Sequence, residues 1–312
     1  MIPTVVTPDD ETWQDTSDII DALERRFPDP PLVASTPVHR MAGYLFELYA
    51  DEFMMLPGLY WRWCFPESIA KALADFAASS GEVKAAHRFS DAVRSFTPMI
   101  GVTPQTAPAI EAHTKELLAA LEAHFAEHAW LLGGSPSLAD CSLMGPLYGH
   151  FYNDAVPAKL LRETAPRTCH WIERMNHPDP ETFGPLVTGD ALSPTLRALL
   201  ELAAGDTVPL VLDNVRAFEE WVDTTPLLGG ELPRGVGMHR TTLRGIGVDR
   251  LTLSYTLWMV QRVLDVYRAL GAGERGAVDA TLAGTGWEPL LAYVPRHRVE
   301  RRPYKLFLAG RE

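Results

Sequence analysis

Apolar residues recur every three to four positions through the middle of the chain, which is the pattern of amphipathic α-helices. Proline and glycine interrupt the pattern where helices are expected to end, for example at Pro57-Gly58, Gly81 and Pro98. The spacing predicts helices over 39–54, 67–78, 82–96, 105–129, 137–152 and 157–175. Together they predict an all-helical bundle over residues 38–178.

The two ends of the chain have mixed patterns. Residues 2–7 and 12–14 predict two short strands, and Asp15, Thr16 and Ser17 are N-cap candidates for a helix that ends near residue 28. The later segment predicts helices over 193–204, 208–223, 255–270 and 273–283, a hairpin over 239–254 and a final strand over 304–308.

These elements predict a mainly α protein in three units. A partial β-β-α piece over residues 1–30 comes first, the helical bundle over 38–178 follows, and an α+β extension over 190–312 ends the chain. Proline-rich segments separate the units. One hairpin and one helix cannot bury a sheet face alone, so we expect that the first unit is incomplete.

Composition and charge narrow the function. The chain has 40 acidic and 28 basic residues and a formal charge of −12, which argues against nucleic-acid binding because phosphate recognition needs a clustered positive face. Apolar runs are too short to cross a bilayer and no secretory signal is seen, so we expect a cytoplasmic protein. The three cysteines lack metal-site spacing, and we expect no metal.

A short segment in the bundle predicts a capping box. After the glycine turn at Gly133-Gly134, the Ser137 hydroxyl can accept from the backbone of Asp140, and the Asp140 carboxylate can accept from the backbone of Ser137. Such reciprocal caps are structural in any helical protein, so we assign no chemistry to these two residues.

The amino-acid sequence around this box resembles that of the helical domain of glutathione transferases. The resemblance rests on the glycine turn, on Pro136-Ser137-Leu138-Ala139-Asp140 and on Trp171-Ile172-Glu173-Arg174-Met175. It implies a transferase-like helical bundle with the capped helix in its core, and a preceding thioredoxin-like piece. Family members are commonly dimers, so the resemblance is compatible with a homodimer and leaves the oligomeric state undecided.

The front of the chain is similar to the glutathione-binding part of that family. The resemblance implies that Ile2-Pro3 is the pair whose backbone binds the cysteinyl part of glutathione, with a cis proline. It also implies that Asp15 and Thr16 bind the γ-glutamyl ammonium and carboxylate, which suits a helix N-terminus. The alternatives are an ordinary trans proline at a strand start and two plain helix caps.

The opposite wall of a family active site comes from the first helices of the bundle. The resemblance therefore implies that Met41, Tyr44, Leu45 and Leu48 line the pocket for the electrophilic substrate. Their composition suits a soft apolar pocket. The alternative is that this helical stripe is core.

The family's first strand and helix, which carry the residue that stabilises the glutathione thiolate, have no counterpart in this sequence. We therefore name no catalytic residue, and we expect a start placed too far downstream or a fragment. The resemblance implies that a complete form conjugates glutathione, its co-substrate, to a small hydrophobic electrophile. The competing hypothesis is a non-enzymatic binding or assembly protein, and whether this chain is an enzyme stays open.

Overall fold

The computed structural model of the protein describes residues 3–226, 230–302 and 305–310. Most of these residues are helical, and the strands are few and short, so the predicted mainly α fold is confirmed. Among the helices in these ranges, none is both long enough and apolar enough to cross a membrane.

The chain begins with the predicted β-β-α arrangement. Strand β1 (Thr4–Val6) pairs antiparallel with β2 (Thr12–Gln14), and helix α1 (Thr16–Arg26) follows at once. The Asp15 N–H donates to the Pro3 carbonyl over 3.2 Å, which extends the pairing to the residue that caps α1.

The bundle contains most of the predicted helices, but the structure divides them into shorter and more numerous segments than the sequence predicted. Two π-helical segments, Tyr49–Phe53 and Leu147–Tyr152, continue α2 and α7. The helices are α2 (Pro37–Leu48), α3 (Met55–Trp63), α4 (Pro66–Ser80), α5 (Val83–Phe96), α6 (Ala107–His124), α7 (Leu138–Pro146), α8 (Ala155–Thr164) and α9 (Pro166–Asn176).

The helix boundaries in the bundle differ from the prediction, and two of the differences involve proline. Pro57 and Gly58, which were expected to separate two helices, lie inside the first turn and a half of α3. A proline is tolerated there because the first N–H groups of a helix have no intrahelical partner. The predicted helix 157–175 is divided instead into α8 and α9 at Ala165, since Pro166 begins a new helix.

The last third of the chain is built on one long helix. Helix α10 (Pro194–Thr224) runs through the predicted gap between two helices and keeps Pro209 in its interior. It is followed by β3 (Glu231–Leu232), β4 (Gly235–Leu243), β5 (Ile246–Leu253), α11 (Ser254–Ala269), α12 (Ala272–Leu282), α13 (Glu288–Leu291), β6 (Val299–Arg302) and β7 (Lys305–Leu308).

The strands of this region form two small sheets. Strands β4 and β5 make the predicted hairpin, which turns at Arg244 and Gly245, both with positive φ. Strands β3 and β6, which were not predicted, flank β7 in an antiparallel sheet of order β3-β7-β6. The Arg301 side chain in this sheet donates to the Gln14 carbonyl, so the sheet lies close to the N-terminal piece.

One hydrophobic core joins the bundle to the last third of the chain. A single cluster of buried side chains extends from Val38 to Leu308, with Trp171, Trp287 and Phe218 among its largest members. Helix α10 packs on α6, and α11 and α12 pack on α2. The predicted division into units at 178–190 therefore crosses a continuous core, and these domain limits stay a prediction.

Candidate functional site

A cavity of about 620 Å³ opens at the N-terminus of α1, and we call it the α1 cavity. Its walls come from the N-terminal piece, from the π-helical segment after α2, and from the ends of β3, β5 and β6–β7. The lining residues are Pro3, Asp15, Thr16, Asp51, Glu52, Met55, Glu231, Leu232, Pro233, Arg234, Leu253, Ser254, Tyr255, Arg301, Lys305 and Leu306. Its volume lies within the range of small-molecule sites.

The α1 cavity brings together three of the four residues predicted to bind glutathione. Pro3, Asp15 and Thr16 all line it, and Thr16 is the first residue of α1, exposed to solvent. Ile2 lies outside the described residues, and so does the predicted cis geometry of the Ile2–Pro3 bond. The first N–H groups of a helix have no intrahelical partner and can bind an anion, although in α1 the Ser17 N–H already donates to Asp15.

Asp15 is held by partners within the protein. Its carboxylate accepts from the Ser17 N–H over 3.2 Å and from the Tyr255 hydroxyl over 3.1 Å, and the Arg301 guanidinium lies 3.3 Å away. Its backbone has a positive φ of 81°, which is unusual for a residue other than glycine. The carboxylate predicted to bind a ligand's ammonium is therefore already paired with a cation.

Arg301 connects the last sheet to the start of α1. Besides Asp15, it pairs with Asp18 over 3.0 Å, and its guanidinium lies 4.9 Å from the ring centre of Trp258. The acids Asp15 and Asp18 help keep the pKa of Arg301 above its usual value, against the opposing effect of its own burial. This residue is thus fixed in the wall of the cavity as a permanent cation.

Tyr255, the second residue of α11, presents a hydroxyl to the same cavity. Burial raises its pKa well above the ordinary value, and the nearby acids Asp51 and Asp15 add to the effect. The phenol therefore stays protonated and acts as a hydrogen-bond donor. Its proton is directed to Asp15.

Two further acids, Asp51 and Glu52, reach the cavity from the π-helical segment Tyr49–Phe53. Glu52 is buried and accepts from the Thr256 hydroxyl over 2.6 Å. Asp51 is open to solvent through the cavity. π-helical turns are often found at functional sites, because the inserted residue changes which side chains share a face. These two residues were not among the predicted site residues, although adjacent acids in a largely apolar helix are a visible signal.

The structure corrects the predicted substrate pocket. Met41, Leu45 and Leu48 are completely buried in the core, and Tyr44 is only partly buried, with the Arg262 guanidinium 5.6 Å from its ring centre. None of the four lines the α1 cavity, because the helical stripe that they form faces the rest of the core. The apolar part of the cavity wall is instead formed by Pro3, Met55, Leu232, Pro233, Leu253 and Leu306.

The predicted capping box is present. Ser137 and Asp140 make the reciprocal contacts at the start of α7, and both are fully buried. The Asp140 carboxylate also accepts from the Leu131 N–H over 3.0 Å and from the Trp171 indole over 2.8 Å. Burial raises the pKa of Asp140, while these donors act in the opposite direction. Neither residue of the box lines the α1 cavity, and the box is a structural feature.

A helical bundle with this buried box, behind a β-β-α piece, has the features of a glutathione-transferase-like protein. Residues 85–179 match the family described as glutathione S-transferase, C-terminal domain. The matched segment extends from α5 to α9 and includes the capping box, so the resemblance seen in the sequence is confirmed for this superfamily. A comparison with curated proteins finds no match to the chain. Within the described ranges, no group of three or more His, Cys, Asp or Glu side chains is arranged to hold a metal ion.

Proposed function

We propose that this protein binds glutathione in the α1 cavity, on a glutathione-transferase-like scaffold. The observation that carries the proposal is that Pro3 and the adjacent residues Asp15 and Thr16, which the resemblance implies as ligand residues, line one cavity of suitable size. The matched C-terminal domain supports glutathione as the class of ligand, since the family is defined by it. A cytoplasmic location and a homodimer belong to the same proposal.

The helix N-terminus is the proposed site for the γ-glutamyl carboxylate. The Thr16 hydroxyl and the first N–H groups of α1 other than that of Ser17, which donates to Asp15, would donate to it. The helix dipole also favours a negative charge at this end. A few charge-assisted hydrogen bonds, less the entropy of association, correspond to roughly millimolar affinity.

Conjugation of glutathione to an electrophile requires a donor that stabilises the thiolate. Three hydroxyl side chains line the described part of the cavity: Thr16, Ser254 and Tyr255. Ser254 donates to the Pro233 carbonyl and Tyr255 to Asp15, so both protons are already used. The Thr16 hydroxyl is assigned to the γ-glutamyl carboxylate, so the described lining supports binding, the alternative left open by the sequence, better than conjugation to a small hydrophobic electrophile.

Isothermal calorimetry or ligand-observed NMR with millimolar reduced glutathione tests the proposal. We expect wild-type protein to bind, and Thr16→Ala to lower the affinity about tenfold, which is the loss of one charge-assisted contact. Thr164→Ala, an exposed helical threonine outside the cavity, is the matched control and is expected to bind like wild type. Wild-type protein that shows no binding would refute the proposal.

A conjugation assay with chloro-dinitrobenzene separates binding from catalysis. We expect little turnover above the uncatalysed rate. Rapid turnover that persists in Thr16→Ala at saturating glutathione would show conjugation with another donor, and rapid wild-type turnover whose kcat at saturating glutathione is lost in Thr16→Ala would show Thr16 as the donor to sulfur.

A further inference from the structure

Most charged side chains of the α1 cavity are paired within the protein. Asp15 is paired with Arg301, Glu231 lies 2.8 Å from Lys305, and Glu52 accepts from Thr256. Asp51 and Arg234 differ from these groups: across the described residues, neither side chain makes a hydrogen bond or an ion pair. The cavity wall therefore presents an acid and a base without partners.

Asp51 occupies an unfavourable position for an isolated carboxylate. Glu47 of α2 and Glu52 of the π-helical segment lie on the same continuous helix as Asp51, and Asp15 acts on it from the cap of α1. Arg262 of α11 acts on it in the opposite direction. Asp51 is exposed within the cavity, so its loss of hydration is partial; this loss and the repulsion of the three acids together raise its pKa above the usual value. A cation delivered by a ligand would relieve this repulsion.

Arg234 is placed on another wall, in the short connection between β3 and β4. Its own carbonyl accepts from the Ser254 N–H over 3.3 Å, so its backbone is tied to the first residue of α11. Its side chain is exposed and lines the cavity. An unpaired guanidinium on an anchored backbone is well suited to bind a carboxylate with two parallel hydrogen bonds.

We propose that Asp51 binds the γ-glutamyl ammonium of the ligand and that Arg234 binds its glycyl carboxylate. This inference rests on the proposed binding of glutathione and gives a role to the segment 190–312, which supplies one end of the site. The ammonium is assigned to Asp51 because Asp15 already has a cation partner. The ligand class is a γ-glutamyl peptide with charges at both ends.

The test combines protein variants with ligands that lack one charge, all measured by calorimetry. The ligands are S-methylglutathione, which has no thiol to titrate, its N-acetyl derivative, which has no ammonium, and its glycyl ethyl ester. We expect Asp51→Asn to weaken S-methylglutathione about tenfold and to leave the affinity for the N-acetyl derivative unchanged. Likewise Arg234→Gln should weaken S-methylglutathione about tenfold and leave the affinity for the ester unchanged.

Proton exchange is a second readout that a merely structural role would not affect. A bound ammonium favours the ionised form of Asp51, so binding should release protons, and affinity should rise as the pH increases through the pKa of the free carboxyl. Calorimetry in buffers of different ionisation enthalpy would detect the release in wild type and its loss in Asp51→Asn. Asp249→Asn and Arg240→Gln, an exposed ion pair on the β4–β5 hairpin, are matched controls that should behave like wild type.

The outcomes distinguish this inference from the proposed function. Normal binding of S-methylglutathione by both variants would refute the roles of Asp51 and Arg234, while glutathione binding itself would stand. Equal weakening of all three ligands by a variant would show a general effect on the cavity instead of a specific contact, and would also refute the assignment. Absence of binding to wild-type protein would overturn both proposals.

Discussion

Asp140 shows how much one buried side chain contributes when it serves several elements. Its carboxylate accepts from the backbone and hydroxyl of Ser137, from the backbone of Leu131 and from the indole of Trp171. These donors belong to the turn before α7, to the loop after α6 and to α9. The residue is therefore more than a helix cap, because it fixes the position of α7 relative to two neighbours.

We expect Asp140→Ala to destabilise the protein by about 3 kcal/mol or more, since it leaves several buried donors without an acceptor. This exceeds the ~0.5–2 kcal/mol for an ordinary cap. Ser193→Ala is the matched control. Ser193 caps α10 by accepting from the Leu196 N–H, and its loss should cost only the ordinary amount.

Urea denaturation of both variants measures these free energies. Equal losses for the two variants would show that the additional contacts of Asp140 contribute nothing. Glutathione affinity per folded molecule should be unchanged in Asp140→Ala, because the residue is not part of the α1 cavity.

At the scale of elements, glycine has opposite effects at helix ends and in helix interiors. Gly81 ends α4 in the left-handed conformation with φ of 71°, which residues with a side chain adopt only at a cost. Gly276 lies inside α12, where an added Cβ would meet no atom within 4 Å. The two positions provide a matched pair for the same substitution.

We expect Gly276→Ala to raise the free energy of unfolding by about 0.5–1 kcal/mol, because alanine loses less backbone entropy in a helix. The same change at Gly81 should lower it by about 1 kcal/mol, owing to strain at positive φ. Thermal and urea denaturation would show shifts of opposite sign. Stabilisation by Gly81→Ala would contradict the left-handed end of α4.

At the scale of the whole molecule, a buried polar network joins the bundle to the last third of the chain. The His113 Nδ1 lies 2.7 Å from Asp206, and the Tyr49 hydroxyl lies 2.7 Å from His113 Nε2. Arg244, at the tip of the β4–β5 hairpin, donates to Asp206 and to Glu116. This network therefore connects α6, α10, the hairpin and the π-helical segment that also carries Asp51.

The protonation states follow from these contacts. Hydrogen bonds from His113 and Arg244 lower the pKa of Asp206 in spite of its burial, so it is an anion. Burial lowers the pKa of His113, which is then neutral, donates from Nδ1 to Asp206 and accepts from Tyr49 at Nε2. The network is fully buried at its centre and has a structural role.

We expect Asp206→Asn to destabilise the protein by about 3 kcal/mol or more, because Arg244 and His113 lose a buried anionic partner. Asp249→Asn is the matched control. It breaks the exposed pair with Arg240, in which both side chains are 65% accessible, and it should cost at most about 1 kcal/mol.

The contribution of Asp206 should depend on pH. Its pKa is lowered by folding, so its stabilisation is present above the pKa of an unfolded aspartate and is lost as the pH falls through the lower folded value. The difference between wild type and Asp206→Asn, measured by denaturation at neutral and acid pH, should therefore shrink on acidification. A difference that is independent of pH would contradict an ionised Asp206.

Much of the fold follows from local signals in the sequence. Helical periodicity indicates most of the bundle, Ser137 and Asp140 indicate the start of α7, and the alternation around Gly245 indicates the β4–β5 hairpin, since each signal acts over a few neighbouring residues. Pro57 was misleading as a helix break, and the gap predicted at 205–207 lies inside α10, which also contains Pro209. A proline in the first turn of a helix, or inside a well-packed helix, destabilises it by less free energy than burial of that helix contributes.

The candidate site depended both on the sequence and on the tertiary structure. Local patterns in the sequence indicated a strand start at Pro3 and a helix start at Asp15 and Thr16, and the resemblance to glutathione transferases implied that these residues bind a ligand. Only the tertiary structure decided that Met41, Leu45 and Leu48 belong to the core. Helical spacing identifies an apolar face, but it does not predict whether protein or a ligand packs against that face. The tertiary structure also brought Asp51 and Arg234, separated by more than half of the chain, into one cavity. Such juxtapositions arise from long-range packing, and no local pattern in the sequence encodes them.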